Sequence, residues 1–405
     1  MLTFMYNAGI FFYGLAIRVS SLFNQKAKSW IDGRQHIFEV LQQTIFKDTI
    51  WFHCASVGEF EQGYPLLKRM QKRYPSSTVF VTFFSPSGYE FAKKRYTDFL
   101  IFYLPMDTRQ NVIRLLDIVQ PKAVFFVKYE FWFHYLSELK KRHIPTFLIS
   151  GIFRKEQPFF RWYGPIHKEM LNSFSYLFLQ NKESKELIDG IGIFNSLVVG
   201  DTRFDRVAEL KQSVFHDNII DEFTGDAKVF IAGSVWPEDE KTLKKIIALL
   251  PKDWKILLFP HEIESFSTSW LTEEPVYYSR YPSTNKKVLV VDALGLLSRA
   301  YRKATLVYIG GGYGKGIHNM LEAAIYEVPV LIGPKFQKFN EAVELTSLGI
   351  SFDTSKKETE NVISQLVTED QFYATVKKRY AVYMADHANV SENIDVFIYE
   401  KKLVF

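Results

Sequence analysis

Residues 307–334 read VYIGGGYGKGIHNMLEAAIYEVPVLIGP, and this stretch decides the fold class. An apolar run ends in glycines, a helix-forming stretch follows, and a second apolar run closes on Gly333 and Pro334. Strand, turn, helix and strand in so short a span make a parallel βαβ unit, because parallel neighbours need a crossover between them. Continuous rather than alternating apolar runs mark strands covered by helices on both faces. Three consecutive glycines, with Gly314 and Gly316 beyond, predict a flexible backbone cradle aimed at a helix starting near Asn319, a ready anion site. The spacing fits neither G-x-x-x-x-G-K-[ST] nor G-x-G-x-x-G, so ATPase and dehydrogenase readings lose their best support.

The same alternation extends outward. Apolar runs at 50–54, 79–83, 99–104, 123–127, 146–149, 176–179 and 197–199 alternate with helical stretches, of which Glu59 to Tyr74 stops at Pro75 and Asp107 to Val119 stops at Pro121. A polar interval containing HDNIIDEFTGD (216–226) interrupts the series, which resumes at 229–232, 255–259, 288–291, 306–309, 328–332 and 350–352. These breaks predict an N-terminal helical segment at 1–35, an α/β domain at 36–215, a second at 216–390, and a terminal helix at 391–405 in position to cross back to the first domain. Two doubly wound, Rossmann-like domains face a cleft between the carboxyl ends of their sheets, the usual ligand site of such folds.

Composition narrows the class. The 405 residues, 47% hydrophobic and 23% charged, exclude disordered and fibrous chains. A formal charge of +5 is too dilute for a nucleic-acid footprint, so no nucleic-acid partner is expected. Cys54 stands alone, which excludes an internal disulfide and a cysteine metal cluster. Aromatic residues make up 16% of the chain, pointing to an aromatic core or to surfaces that meet lipid or sugar.

Residues 2–23 carry Arg18 as their only charge, and they lack both the basic start and the small-residue cleavage site of a signal peptide. The uninterrupted apolar stretch Ala8 to Ile17 is short of the roughly 20 residues a bilayer requires, while the whole segment reaches that length. A weak span, an interfacial helix and a helix packed on the body are all compatible with it. The aromatics from Phe4 to Tyr13 beside Lys26, Lys28 and Arg34 favour membrane attachment, with the rest of the chain on the cytoplasmic side.

The strand ends offer the chemistry. In CASVGEFEQG (54–63), Ser56 and Glu59 have capping-box spacing, and Gly58 leaves the backbone beside the carboxylate open. Glu59 is therefore either a cap or a general base. A helix N-terminus favours its ionised form, so burial against a substrate must raise its pKa for the second role. SPSGYE (85–90) reads as an ordinary turn or an anion-binding one. Glu130 sits among Tyr129, Phe131, Trp132 and Phe133, a setting suited to a carbohydrate or a buried hydrogen-bond anchor. SGIFRKEQPFFRWYG (150–164) supplies Arg154, Lys155 and Arg161 for a carboxylate or phosphate, whereas Lys93, Lys94 and Arg95 read as a solvated helix face. Further on, Gly233 and Ser234 open a turn before an acidic helix start, His261 follows a strand, and Gly311, His318, Asn319 and Glu322 surround the glycine-rich turn. Glu322 either accepts from a ribose or reaches back to Asn319 as a cap. No His/Asp/Glu cluster has metal-ligand spacing.

In order, YNAGIFFYGLA (6–16) with KAKSWIDGR (26–34), HCASVGE (53–59), SPSG (85–88), YEFW (129–132), VVGDTRFDR (198–206), Gly233-Ser234, GGGYGKGIHNMLE (310–322) and GP (333–334) make nearly the whole chain resemble the Kdo transferases of lipopolysaccharide synthesis. The resemblance implies a two-domain GT-B fold with an N-terminal membrane-associated helix at the cytoplasmic face of the inner membrane. It implies inverting transfer of 3-deoxy-D-manno-octulosonic acid (Kdo) from CMP-Kdo to a lipid A precursor of the lipid IVA type. No metal or other cofactor is implied, CMP-Kdo being a co-substrate. Glu59 would be the general base, with Gly58, Glu130 and Arg154 at the acceptor or sugar-acid site and Ser234, His261, Gly311, His318, Asn319 and Glu322 at the nucleotide. Two departures stand out: Pro260 where the family commonly has an arginine before the histidine, and GIFR (151–154) in place of an N-A-R turn, keeping only Arg154. A UDP-sugar 2-epimerase and a non-catalytic, membrane-tethered nucleotide-sugar sensor are the alternative readings. The first leaves the N-terminal apolar segment without a purpose.

Overall fold

Among the described residues, fourteen parallel-paired strands form two seven-stranded sheets, as short apolar runs separated by helices require. The structure is a computed structural model that describes residues 2–161, 164–212, 214–282 and 285–404. It divides into two compact units, Met1–Arg206 with Asn389–Phe405, and Val207–Ala388.

The first unit holds β1 (Ile50–Cys54), β2 (Val79–Phe83), β3 (Leu100–Tyr103), β4 (Ala123–Val127), β5 (Thr146–Gly151), β6 (Tyr176–Leu179) and β7 (Ser196–Val198), in the order β3-β2-β1-β4-β5-β6-β7. β1 is central and wholly buried. Ile50, Phe52 and Cys54 enter one hydrophobic layer, and Trp51 enters the other. The final helix, Val390–Glu400, spaces Val390, Ile394 and Ile398 four residues apart and lays them in the same layer as Phe60, Leu66 and Met70. Asp205 accepts the N–H groups of Val390 and Ser391 at the start of that helix, and Arg73 grips Asp395 with two bonds of 2.6 and 2.7 Å.

The N-terminal helix, Leu2–Ser20, lies on this unit, with Tyr6, Ile10, Gly14 and Ile17 turned partly inward. Tyr6 donates its hydroxyl to the buried Asp107 at 2.5 Å, and Asp107 in turn accepts the N–H groups of His134 and Tyr135, capping the helix Phe133–Lys141. His134 Nε2 meets Asn7 Oδ1 at 2.6 Å. The opposite face exposes Phe4, Met5, Phe11, Phe12, Leu15 and Val19. Among the described residues, no helix is long and apolar enough to cross a membrane. Arg34 does not join Lys26 and Lys28 on an exposed basic flank, contrary to the sequence expectation. Its guanidinium lies over Trp30 at 3.7 Å and donates to the carbonyls of Trp30, Phe84 and Leu104, and burial lowers its pKa to about 9.

The second unit holds β8 (Val229–Val235), β9 (Lys255–Pro260), β10 (Val276–Tyr277), β11 (Val288–Val290), β12 (Leu306–Ile309), β13 (Val330–Ile332) and β14 (Ser351–Asp353), in the order β10-β11-β9-β8-β12-β13-β14. Only β10 lacked an apolar run in the sequence, because it is two residues long. In each sheet the winding reverses beside its first strand, between β1 and β4 and between β8 and β12. Ligand crevices in open α/β sheets form at that point, past the carboxyl ends of the strands. The carboxyl ends of β1, β4, β8 and β12, with the segments directly after them, carry Glu59, Glu130, Ser234 and the glycine-rich run.

Candidate functional site

In the first unit, β1 passes directly into the helix Val57–Arg73. Ser56, in extended backbone, accepts the Glu59 N–H at 3.4 Å, while the Glu59 carboxylate bends back to accept the Ala55 N–H. The spacing thus builds a cap, as one of its two sequence readings anticipated. It does not stop there. Burial pushes the Glu59 pKa up to about 7, repulsion by Glu130 adds to it, and the Ala55 N–H and Lys128 work against it. The expectation that a substrate must supply this burial is corrected: the fold already supplies it. A Cβ built on the neighbouring Gly58 meets nothing within 4 Å, so the space beside the carboxylate is open to a ligand.

Glu130 stands at the end of the turn that follows β4, where Lys128 adopts φ +66. Its Oε2 accepts Trp132 Nε1–H at 2.7 Å and lies 2.9 Å from His53 Nε2 on β1. Most of the aromatic setting read from the sequence proves to be core rather than a sugar platform. Phe131 packs on Phe153, Phe159 and Phe174, and Phe133 packs on Tyr6. Phe159 is buried, and Trp162 and Tyr163 lie outside the described residues. Arg154, three residues past β5, is exposed and donates to the Tyr129 hydroxyl at 3.4 Å. Its turn thus adjoins that of Glu130. Ser85 takes up the ordinary-turn reading: its hydroxyl accepts the Gly88 N–H, and Gly88 lies against the Phe83 ring, where a Cβ would fall at 2.6 Å. Lys93, Lys94 and Arg95 are exposed in the last turn of that helix, at the end remote from Ser85.

In the second unit, a register shift between Ala232 and Val235 puts Ser234 in left-handed backbone, φ +53, at the end of β8. The glycine-rich run after β12 differs from the flexible anion cradle expected of it. Gly310 packs on the Ser234 carbonyl and Gly312 on Gly333, leaving no room for a Cβ at either, and Gly311 has φ +88. Gly310, Gly311, Gly314, Gly316, Ile317 and His318 already donate their N–H groups within the fold. The buried Asp239 holds the run in place, accepting the N–H groups of Gly311 and Trp236 and the hydroxyl of Tyr308 at 2.8, 3.0 and 2.8 Å. The following helix is four residues, Leu321–Ala324, rather than one beginning near Asn319. Asn319 Nδ2 donates to Glu322 Oε1 at 3.1 Å, so Glu322 does reach back to Asn319, but side chain to side chain, and the N-cap residue Met320 makes no side-chain cap.

The run also organises aromatic faces. His261 stacks on Trp236 with centroids 4.1 Å apart and lies 4.6 Å from His318. Trp236 Nε1 donates to His318 Nε2 at 2.9 Å, which assigns the remaining hydrogen to Nδ1. Burial, then His261, lowers the His318 pKa and keeps it neutral at pH 7. The structure therefore brings together Ser234, His261, Gly311 and His318 through Trp236 and Asp239, two residues the sequence reading passed over. His53 was passed over as well. Its signal was a polar residue inside the otherwise apolar run IWFHC. Among the described residues, no group of three or more His, Cys, Asp or Glu is placed to hold a metal ion.

A family model described as 3-deoxy-D-manno-octulosonic-acid transferase (kdotransferase) matches residues 29–206. The 3-deoxy-D-manno-octulosonic acid transferase of Haemophilus influenzae is 29% identical over 311 residues, 72% of each chain, and that of Aquifex aeolicus is 26% identical over 361 residues, 85% of this chain and 93% of the relative. A bifunctional glycosyltransferase/methyltransferase of Fusobacterium nucleatum is 25% identical over 377 residues, and this chain spans 56% of its length. Among solved structures, the UDP-GlcNAc 2-epimerase of Neisseria meningitidis matches with a TM-score of 0.61 at 16% identity, covering 87% of this chain and all of that one. That likeness establishes the GT-B-like fold and nothing further.

Proposed function

We propose, from the premise that this chain belongs to the 3-deoxy-D-manno-octulosonic acid transferase family, that it moves Kdo from CMP-Kdo to a lipid A precursor of the lipid IVA type. The observation that carries the reading is Glu59, a carboxylate at the winding reversal of the first sheet, beside the open Gly58, with a pKa raised to about 7. Such a group is ionised often enough near neutrality to act, and basic enough to take a hydroxyl proton as the bond forms.

In the proposed step the acceptor oxygen bonds to the anomeric carbon of Kdo while the bond to the CMP phosphate breaks, inverting that centre. The hydroxyl proton passes to Glu59. Glu130 and Arg154 belong to the acceptor or sugar-acid site, Arg154 offering a fork of donors for a carboxylate or phosphate. Ser234, His261, Gly311, His318, Asn319 and Glu322 serve the nucleotide in the second unit, Asn319 holding the Glu322 carboxylate by a hydrogen bond. No cofactor beyond the CMP-Kdo co-substrate is invoked. The exposed apolar face of the helix Leu2–Ser20 supports interfacial seating at the cytoplasmic face of the inner membrane, where the lipid acceptor would be met.

The test is incubation of purified, folded protein with CMP-Kdo and the tetraacyl disaccharide bisphosphate, following CMP release and the mass of the lipid. Release of CMP with extension of the lipid is expected. No turnover, or conversion of a UDP-sugar with no acceptor present, sinks the reading.

A further inference from the structure

His53 is fully buried on β1, paired in register with Thr82 on β2 and Phe126 on β4. A buried imidazole requires partners at both nitrogens. Nδ1 lies 2.9 Å from Thr82 Oγ1 and 3.1 Å from the Thr82 carbonyl oxygen, and Nε2 lies 2.9 Å from Glu130 Oε2. Facing a carboxylate oxygen, Nε2 carries the hydrogen. Thr82 Oγ1 accepts the Trp51 indole N–H at 2.8 Å, which leaves its own proton to point at Nδ1. A directed chain runs from Trp51 through Thr82 and His53 to Glu130, where Trp132 Nε1–H adds a second donor to the same oxygen.

We propose that His53 is a positioning residue for the base: its Nε2–H holds the Glu130 carboxylate in the orientation from which it acts on Glu59, and Thr82 and Trp51 hold the imidazole in the tautomer that can donate. The proposal rests on the reading of Glu59 as the base. An imidazole that merely filled space needs no link to a carboxylate across the winding reversal. Glu130 is itself buried, and two N–H donors offset the loss of water from its carboxylate. The groups that act on Glu59 are Glu130 and Lys128 from the turn after β4, together with the N–H groups of Ala55 and Ser56. The Cys54 thiol beside them is kept protonated by burial and by the same two carboxylates. Of these groups, Glu130 is the one that His53 holds.

Glutamine and asparagine separate the roles, because a Gln amide nitrogen reaches the position of Nε2 and an Asn nitrogen only that of Nδ1. In the full chain, the Glu59 midpoint is read from the pH profile of kcat/KM and from carboxyl NMR, with the signal assigned by its loss in Glu59→Gln. His53→Asn is expected to lower kcat about tenfold with little change in KM for the donor, and to move the midpoint down from about 7. His53→Gln is expected to recover most of both. Thr82→Ser against Thr82→Val repeats the comparison one step out, with Ser the better variant, should His53→Asn not fold. A result in which the donor-retaining variant does no better than its partner overturns the proposal. The NMR midpoint needs no substrate, so absence of Kdo transfer would sink the function while the variants still decide the role of His53.

Discussion

Exchanging Glu59 for Gln is expected to abolish turnover and to stabilise the first unit, the latter by an amount that grows as pH rises from about 4.5 and levels off above about 7. An ordinary glutamate titrates near 4.5, and burial holds this one at about 7. At 1.36 kcal/mol per pKa unit, ionising it in the fold costs about 3 kcal/mol more than in the unfolded chain. The side chain keeps some contact with solvent, so about 2 kcal/mol is the working figure. Because the folded-state pKa is raised, the favourable contribution is complete below about pH 4.5 and lost as pH rises through about 7. Gln retains a carbonyl oxygen for the Ala55 N–H and never ionises. Wild type and variant are therefore expected to melt alike near pH 4. Near pH 8.5 the variant is expected to melt higher by roughly 4–8 °C for a unit of this size. Thermal unfolding by circular dichroism at both pH values, run beside CMP release, makes the comparison. A melting difference that does not change with pH, or a variant destabilised throughout, refutes the assignment of a buried, elevated carboxylate.

Glu130→Gln removes the charge that repels the ionised base, so the acid limb of the pH–rate profile is expected to move below pH 7 while the rate falls; an unmoved limb in a folded variant would count against the coupling. Gly58→Ala adds a methyl into open space within a helix and is expected to leave stability unchanged or raise it by up to about 1 kcal/mol, read from thermal unfolding, yet to raise KM for the lipid acceptor. Asp239→Ala strands three donors in the core of the second unit and is expected to cost about 3 kcal/mol or more, with loss of CMP binding by calorimetry. Phe11→Ser with Phe12→Ser is expected to weaken co-sedimentation with anionic lipid vesicles without lowering the melting temperature, since both rings are exposed.

The strands were legible because parallel sheets covered on both faces demand continuous apolar runs. β4 and β12 fall where the sequence placed them. β8 runs on to Val235 because the chain bulges at Ser234, a conformational event that hydrophobicity does not encode. Glu59 was legible as a capping residue or a base; the structure realises the cap, and the same turn that bends its carboxylate to Ala55 buries it beside Glu130, which is what the proposed role as base requires. The glycines were legible as a special turn, but their reason was not. They are required by backbone packed on backbone, Gly312 against Gly333 and Gly310 against Ser234, more than by an open cradle.

What the sequence determined by itself was the class of fold and the strand ends at which chemistry could occur, since periodicity, turn residues and capping spacings are local properties of the chain. The tertiary structure alone decided which of those ends meet. Glu130 lies 77 residues from His53 along the chain and 2.9 Å from it in space, because β1 and β4 are neighbours where the winding reverses. It likewise decided that Glu59 is elevated to about 7, that Arg34 turns inward, and that Trp236 and Asp239 order the second turn. Burial and charge proximity are sums over all neighbours in space, and a one-dimensional pattern fixes none of those distances.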